Sequence, residues 1–487
     1  MTCSDLVVTK FVPSRGEAVR KTGKGSGSLE SAQQFFGAEL RHWRTTRGLS
    51  LRQLAELTHE SYALIYRVEK AERSPSADLA VRADAVLNTD GALKRSWSRV
   101  EQAKAAAKKA PEPIASTLGL GWDSSTASTV GTVAGLWRAD LSGVEPVVGA
   151  AWTPEAALDP ARRWLSHDDD LDTSHRGGRR IGRSEVEVMW SMCRAFADAD
   201  HHLGGGYARS TLIQFVNQTV LPLLAGTYDA ETGRQLLTAA ARLSDLGGFM
   251  CFDSARQGLG QRYYIQALRL ASAAGDRALG AHILADMSLQ AHDLGRPREA
   301  LALAEAGHRT ARDCGSPSTA ARCSALQARA HALAGDRPAT AAAMTTAEHE
   351  LNTAQPDDEP FWIRFFTPEQ LAAEFMYAAH DLGQSAEVQE HAPTVLASSA
   401  AMQRREVLAA STLASSYLPG TRSKFSTVDV ERACDILTKA LPSAAGLTSA
   451  RGLTSINSVR RQLAPYHSLP AVQEVEQTFA EFATAGS

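Results

Sequence analysis

No stretch of the 487 residues stays apolar over the roughly 20 positions a bilayer-spanning helix needs. Residues 1–30 also lack the apolar run of a secretory signal, so the expectation is a cytoplasmic protein with no membrane contact. Cysteine is scarce. The six, at positions 3, 193, 251, 314, 323 and 434, are too scattered for a disulfide framework or a zinc cluster, and they read as reduced thiols. Catalytic signatures are missing as well: there is no Gly-x-Ser-x-Gly elbow, no His-Glu-x-x-His pair and no phosphate loop. TGKGSGS at 22–28 has glycines but lacks both the Gly-Lys-Ser/Thr ending and a preceding strand. Asp198, Asp200, His201 and His202 crowd a helix end where adjacent histidines diverge, and the acidic loop 167–172 lacks the glycine and terminal glutamate of a calcium loop. The expectation is a protein with no catalytic residues, no cofactor and no metal.

The net charge of -3 conceals an asymmetry: residues 1–110 carry +7 and the remainder −10. The N-terminal part suits a polyanion, and the rest would repel one. Within that part, SLRQLAELTHESYALIYRVEKAER from Ser50 to Arg73 points most directly to an activity. Ser50 is a natural N-cap, and Leu51, Leu54 and Ala55 recur at helical spacing. Thr58 to Ser61 form a polar break, and Ser61 is placed to cap a second helix with Ile65 and Val68 inward. Phe36, Leu40 and Trp43 mark a helix before this pair. Ser74-Pro75-Ser76 precedes another carrying Leu79, Ala83, Val86 and Leu87.

The order RGLS, LRQLAEL, reader helix, ERSPS resembles the phage-repressor (Cro/C1, xenobiotic-response-element, XRE) family of DNA-binding domains over residues 32–90. The resemblance implies a helix-turn-helix whose reader lies in the major groove of double-stranded DNA. It places Tyr62, Ala63, Tyr66 and Arg67 at base edges and Arg52, Lys70 and Arg73 at phosphates. An arginine such as Arg67 pairs with guanine O6 and N7 for about 1–3 kcal/mol of discrimination, and Ala63 can touch a thymine methyl. The family usually has a small residue, often Gly, where His59 stands, and polar amides at the positions of Tyr62 and Ala63. The alternative packs both tyrosines on a neighbouring helix and makes the domain a protein binder.

Composition divides the chain into a disordered basic tail (1–30), the DNA-binding domain (31–110), a Ser/Thr/Gly-rich linker (111–152) and a helical domain (153–487). GLWRADL inside the linker reads as a short extended or docked segment. From Thr153-Pro154-Glu155 onward, apolar stretches of helical length end repeatedly at Gly, Pro or Asp. Gly275 and Gly315 lie 40 residues apart, as do Gly295 and Gly335, Ala281 and Ala321, and Ala285 and Ala325. Small residues at fixed offsets let paired helices approach closely. The pattern resembles tetratricopeptide repeats, giving an all-α fold: a helix-turn-helix bundle followed by a tetratricopeptide-like α-solenoid.

The whole chain resembles actinobacterial transcriptional regulators that join such an N-terminal domain to a tetratricopeptide-like array, some of them negative regulators of sporulation and antibiotic production. LWRADL at Leu136, GGGYAR at Gly204, GGFMCFD at Gly247 and GLGQRYYIQALRLA at Gly258 carry the resemblance. It implies a repressor. One helix-turn-helix buries little DNA surface, so the expected form is a homodimer reading two half-sites. The array would supply dimerisation and sense an effector, a peptide or a small molecule. Polar residues within apolar helices are the leads for that site: Asn217, Arg256, Arg262 and Gln266, with Gln218 and Gln261 beside them. The competing role for the arginines is ion pairing or capping with Asp245 or Asp253. The rival function is a non-enzymatic interaction protein whose array binds another regulator.

Overall fold

Three serines start three helices. The hydroxyls of Ser50, Ser61 and Ser76 accept from the backbone N–H of Gln53, Leu64 and Leu79 at 3.3, 3.2 and 3.1 Å, and Gln53 closes a capping box by accepting from Ser50 N at 2.9 Å. In this computed structural model, described over residues 24–109, 116–166, 172–355, 357–399, 402–418 and 426–485, the chain forms two units, 1–113 and 114–487. Both are helical, and the described residues contain no β-strand, only isolated bridges at His175–Tyr228 and Arg180–Thr227. No described helix is long and apolar enough to cross a membrane.

The first unit packs α1 (Lys24–Thr46), α2 (Leu51–Leu57), α3 (Tyr62–Glu69), α4 (Ala77–Leu87) and α5 (Ala92–Lys109) around Phe36, Leu40, Leu54, Ile65, Val68, Leu79, Leu87 and Val100. The tail differs from expectation at one end: residues 24–30 are the first turns of α1, extended from a helix that Phe36 and Leu40 already anchor. Residues 1–23 lie outside the described residues.

The second unit begins with α6 (Thr126–Leu141), the single turn α7 (Glu145–Val148), α8 (Pro154–Ser166), α9 (Arg183–Leu203), α10 (Gly205–Phe215) and the single turn α11 (Leu221–Leu224). Hairpins follow: α12 (Ala230–Asp253) with α13 (Gln257–Ala274), α14 (Arg277–Asp293) with α15 (Pro297–Asp313), and α16 (Pro317–Leu333) with α17 (Arg337–Thr353). Then come α18 (Pro368–Asp381) with α19 (Ser385–Ala397) and α20 (Gln403–Ser416) with α21 (Thr427–Ala444), followed by α22 (Ala450–Leu463), which packs on α20, and α23 (Pro470–Ala485), which packs on α21. First helices of successive hairpins also touch, α14 on α16 and α16 on α18, which stacks the hairpins into an array. The repeat glycines Gly275, Gly295, Gly315 and Gly335 end helices at φ 72°, 69°, 69° and 78°, with open space where a Cβ would stand. The left-handed backbone, and not close helix approach, is what these turns require of glycine.

The expectation of a linker over 111–152 is overturned from residue 116 onward; 111–115 lie outside the described residues. Residues 126–141 form α6, whose Val133, Leu136 and Trp137 are fully buried in the main core of the second unit. A polar stripe on α13 clasps the segment before it. Arg262 donates to the carbonyls of Leu118 at 3.0 Å and Ser116 at 2.5 Å, Gln266 to those of Gly119 and Gly121 at 3.0 Å, and Arg269 to that of Asp123 at 2.6 Å. On α6 itself, Asp140 accepts from Tyr263 Oη at 2.8 Å and pairs with Arg209. Trp137→Ala is expected to lower the stability of the second unit by about 3–5 kcal/mol, measured by chemical denaturation. A linker tryptophan would leave the transition unmoved.

Candidate nucleic-acid interface

Ile65 and Val68, three apart on α3, are buried, so the helical period turns the rest of the helix outward. Tyr62, Ala63, Tyr66 and Arg67 are all exposed, as are Arg52 on α2 and Lys70 and Arg73 beyond the end of α3. All seven residues singled out from the sequence therefore lie at the surface of one helix pair and its exit. The tyrosines do not pack on a neighbouring helix. They stack on each other with ring centroids 6.4 Å apart and are 49% and 41% exposed. Arg52, Arg67, Lys70 and Arg73 form no ion pair or side-chain hydrogen bond among the described residues, which leaves four cations available to an outside anion.

The support for α3 is tight. Arg44 on α1 grips Glu69 with two bonds of 2.6 and 2.9 Å and donates a third to Leu49 O at 2.8 Å, tying α1, α3 and the loop between α1 and α2. Both side chains are nearly buried, where a bidentate pair is worth most. Gly37 lies where α1 meets the end of α3: a Cβ there would stand 2.5 Å from Val68 O and 2.9 Å from Glu69 O. On the other side, Arg82 of α4 pairs with Glu60 in the turn. These contacts the sequence did not announce, because their partners lie 22 and 25 residues apart.

The turn itself carries strain. Thr58 Oγ1 bonds back to Leu54 O at 2.7 Å, and His59 adopts φ 53°, a left-handed conformation that suits glycine better than a side-chain-bearing residue. Asp84 sits at the junction of α4 and α5, 6% exposed. Burial alone would raise its pKa. The Thr89 hydroxyl, the backbone N–H groups of Gly91 and Leu93 and the charge of Lys94 outweigh that and hold it below the usual 3.8.

The residues proposed for an effector do not gather at one cavity. Arg262 and Gln266 come together, but only to hold the 116–121 segment by its carbonyls. Asn217 lies in a π turn (Val216–Val220), and its amide donates to Ile213 O at 2.8 Å and Trp137 O at 3.0 Å. Arg256 is exposed at the start of α13. Arg262 and Gln266 are thus spent on carbonyls of a segment outside the helices, and Asn217 on carbonyls of α10 and α6. The aspartates weighed against them take other arginines: Asp245 pairs with Arg242, and Asp253 with Arg404.

One set of metal-type donors occurs among the described residues, Asp245, His282 and Asp286, within 4.8 Å of one another. Guanidiniums already occupy it. Arg242 pairs with Asp245, and Arg322 reaches Asp286 at 2.5 Å and His282 Nδ1 at 2.9 Å. Burial, then the charges of Arg322 and Arg242, push the His282 pKa well below its ordinary value, so the ring is neutral within an ion-pair network.

Residues 36–97 match a family model described as a helix-turn-helix domain. Searches of curated proteins and of solved structures return no match to the chain. Capped helices, the left-handed turn and the family model together define the N-terminal unit as a helix-turn-helix domain.

Two outcomes follow for this unit. His59→Gly retains or raises its stability, whereas His59→Val, a β-branched residue forced to positive φ, lowers it by about 1–2 kcal/mol in hydrogen exchange of the α2 and α3 amides. Asp84 titrates lower in the folded state than its unfolded 3.8, so its contribution is complete above that pH and is lost as pH falls through the folded pKa. Asp84→Asn therefore flattens the acid limb of the unit's stability profile. An unchanged limb would show that the carboxylate is not held this way.

Proposed function

We propose that the chain is a sequence-specific DNA-binding transcription regulator. In this reading it acts as a homodimeric repressor, and the helical array, tetratricopeptide-like in its stacked hairpins, supplies dimerisation and effector sensing. The observation that carries DNA binding is the outward face of α3. It presents an exposed arginine and three further exposed side chains, Tyr62, Ala63 and Tyr66, flanked by three cations that no carboxylate of the described residues neutralises. A cationic rim supplies sequence-independent affinity, and the face within it supplies choice of base.

Double-stranded DNA is the natural partner of that arrangement. The dimer follows from the small surface one such unit buries: two readers on half-sites about one helical turn apart gain contacts and specificity together. An effector would act by favouring an array arrangement with the wrong spacing between readers, and only to the extent that it binds the two arrangements differently. Nothing in this reading calls for catalysis, a cofactor or a metal.

The second reading, an interaction protein, draws on the stacked Tyr62–Tyr66 pair, an apolar surface that could also meet a protein. Substitution separates the two. Arg67→Ala is expected to weaken operator binding by about 1–3 kcal/mol and to relax choice at one base position, while Arg73→Ala weakens binding to all sequences and reduces the salt slope by about 1. Unchanged promoter occupancy in both variants would favour the interaction protein.

A further inference from the structure

Where the first helices of successive hairpins meet, a cavity of about 390 Å³ takes side chains from α9, α12, α14, α16, α18, α20 and α22. Six arginines line it: Arg242, Arg322, Arg329, Arg404, Arg405 and Arg451. Five are paired, with Asp245, Asp286, Glu374, the Asp200 and Asp253 pair, and Asp293 respectively for Arg242, Arg322, Arg329, Arg404 and Arg451. Arg405 has no carboxylate within ion-pair distance among the described residues. Its Nη2 donates instead to Glu369 O and Ser398 Oγ, both at 3.0 Å.

Three of these guanidiniums also carry a buried Nε–H with no acceptor among the described residues, those of Arg242, Arg329 and Arg405. The side chains of Arg242 and Arg329 are only 8% and 9% exposed. Buried donors are nearly always matched in folded proteins, so three unmatched N–H groups from three helices around one cavity call for an acceptor from outside the chain. The carboxylates of Asp200, Asp245, Asp253, Asp286, Asp293 and Glu374 are each engaged by one of the other five arginines, which leaves Arg405 as the lining guanidinium without a carboxylate of its own among the described residues. The rest of the lining includes Leu246, Phe249, Leu289, Met402 and Leu408, an apolar complement to the charged part.

We propose that this cavity binds a small organic anion, an apolar body ending in a carboxylate or a phosphate. The anionic head meets Arg405 and the free Nε–H groups in charge-assisted hydrogen bonds, and the body lies against the apolar side chains. A volume near the lower end of small-molecule sites suits a metabolite and not a long peptide. The inference deepens the reading of the array as a sensor and rests on it. Because the lining comes from seven helices, α9 with Asp200 and His201 among them, an occupant favours one arrangement of the hairpins over others.

Titration calorimetry of the full chain with decanoate, decyl phosphate and 1-decanol tests it, the two anions distinguishing carboxylate from phosphate. At least one anion binds about tenfold or more tightly than 1-decanol, Arg405→Gln removes that preference, and Leu408→Trp, which fills the apolar part, weakens the binding. Equal binding of 1-decanol, no binding of any probe, a preference that survives Arg405→Gln, or anion binding undiminished in Leu408→Trp would overturn the proposal. Retention of duplex DNA by the same preparations is a separate readout. Selective DNA binding without an anion preference sinks this inference alone, and anion binding without DNA binding sinks only the DNA-binding reading.

Discussion

The orientation of one short helix governs the function argued for this chain. With Ile65 and Val68 buried, a helix of 3.6 residues per turn has no freedom in which side chains it shows to solvent: Tyr62, Ala63, Tyr66 and Arg67 face outward together. Eight residues cannot hold themselves helical in water, so the orientation depends on neighbours. The Ser61 cap, the forked Arg44–Glu69 contact and the close passage of α1 at Gly37 provide that support. The bonds to α3 are made from the side away from solvent, which leaves Arg52, Arg67, Lys70 and Arg73 uncommitted.

The second unit solves a different problem, that of burying many polar groups within a helical array. Long interhelical ion pairs and clasps on irregular backbone answer it. The α13 stripe of Arg262, Gln266 and Arg269, at spacings of four and three, faces the 116–123 segment and satisfies its carbonyls one after another. Along the first helices of the hairpins the same logic produces Arg322–Asp286 between α16 and α14 and Arg329–Glu374 between α16 and α18. Breaking such pairs one partner at a time is costly, which makes them points that fix how hairpins seat on each other.

What the sequence revealed follows from how local each signal is. Capping serines, the polar break before Ser61 and the glycine-ended helices of the array act over three or four residues, so Ser50, Ser61, Gly275 and Gly315 mark their elements without help from the fold. α6 escaped notice because TASTVGTVAGLWRADL is rich in Ser, Thr and Gly; packing of Leu136 and Trp137 holds it helical where propensity would not. Asn217, Arg262 and Gln266 looked like ligand groups because a polar residue on an apolar helix reads the same whether it meets a ligand or a stray carbonyl. The arginines of the central cavity were invisible for the opposite reason. They are spread from Arg242 to Arg451, and only the stacking of hairpins brings them to one place.

Selection of duplex fragments from random DNA by the purified full chain is the most direct test of the central claim. The account predicts an enriched sequence built of two related half-sites in inverted order, about one helical turn apart. A pool that stays random at moderate ionic strength would contradict it.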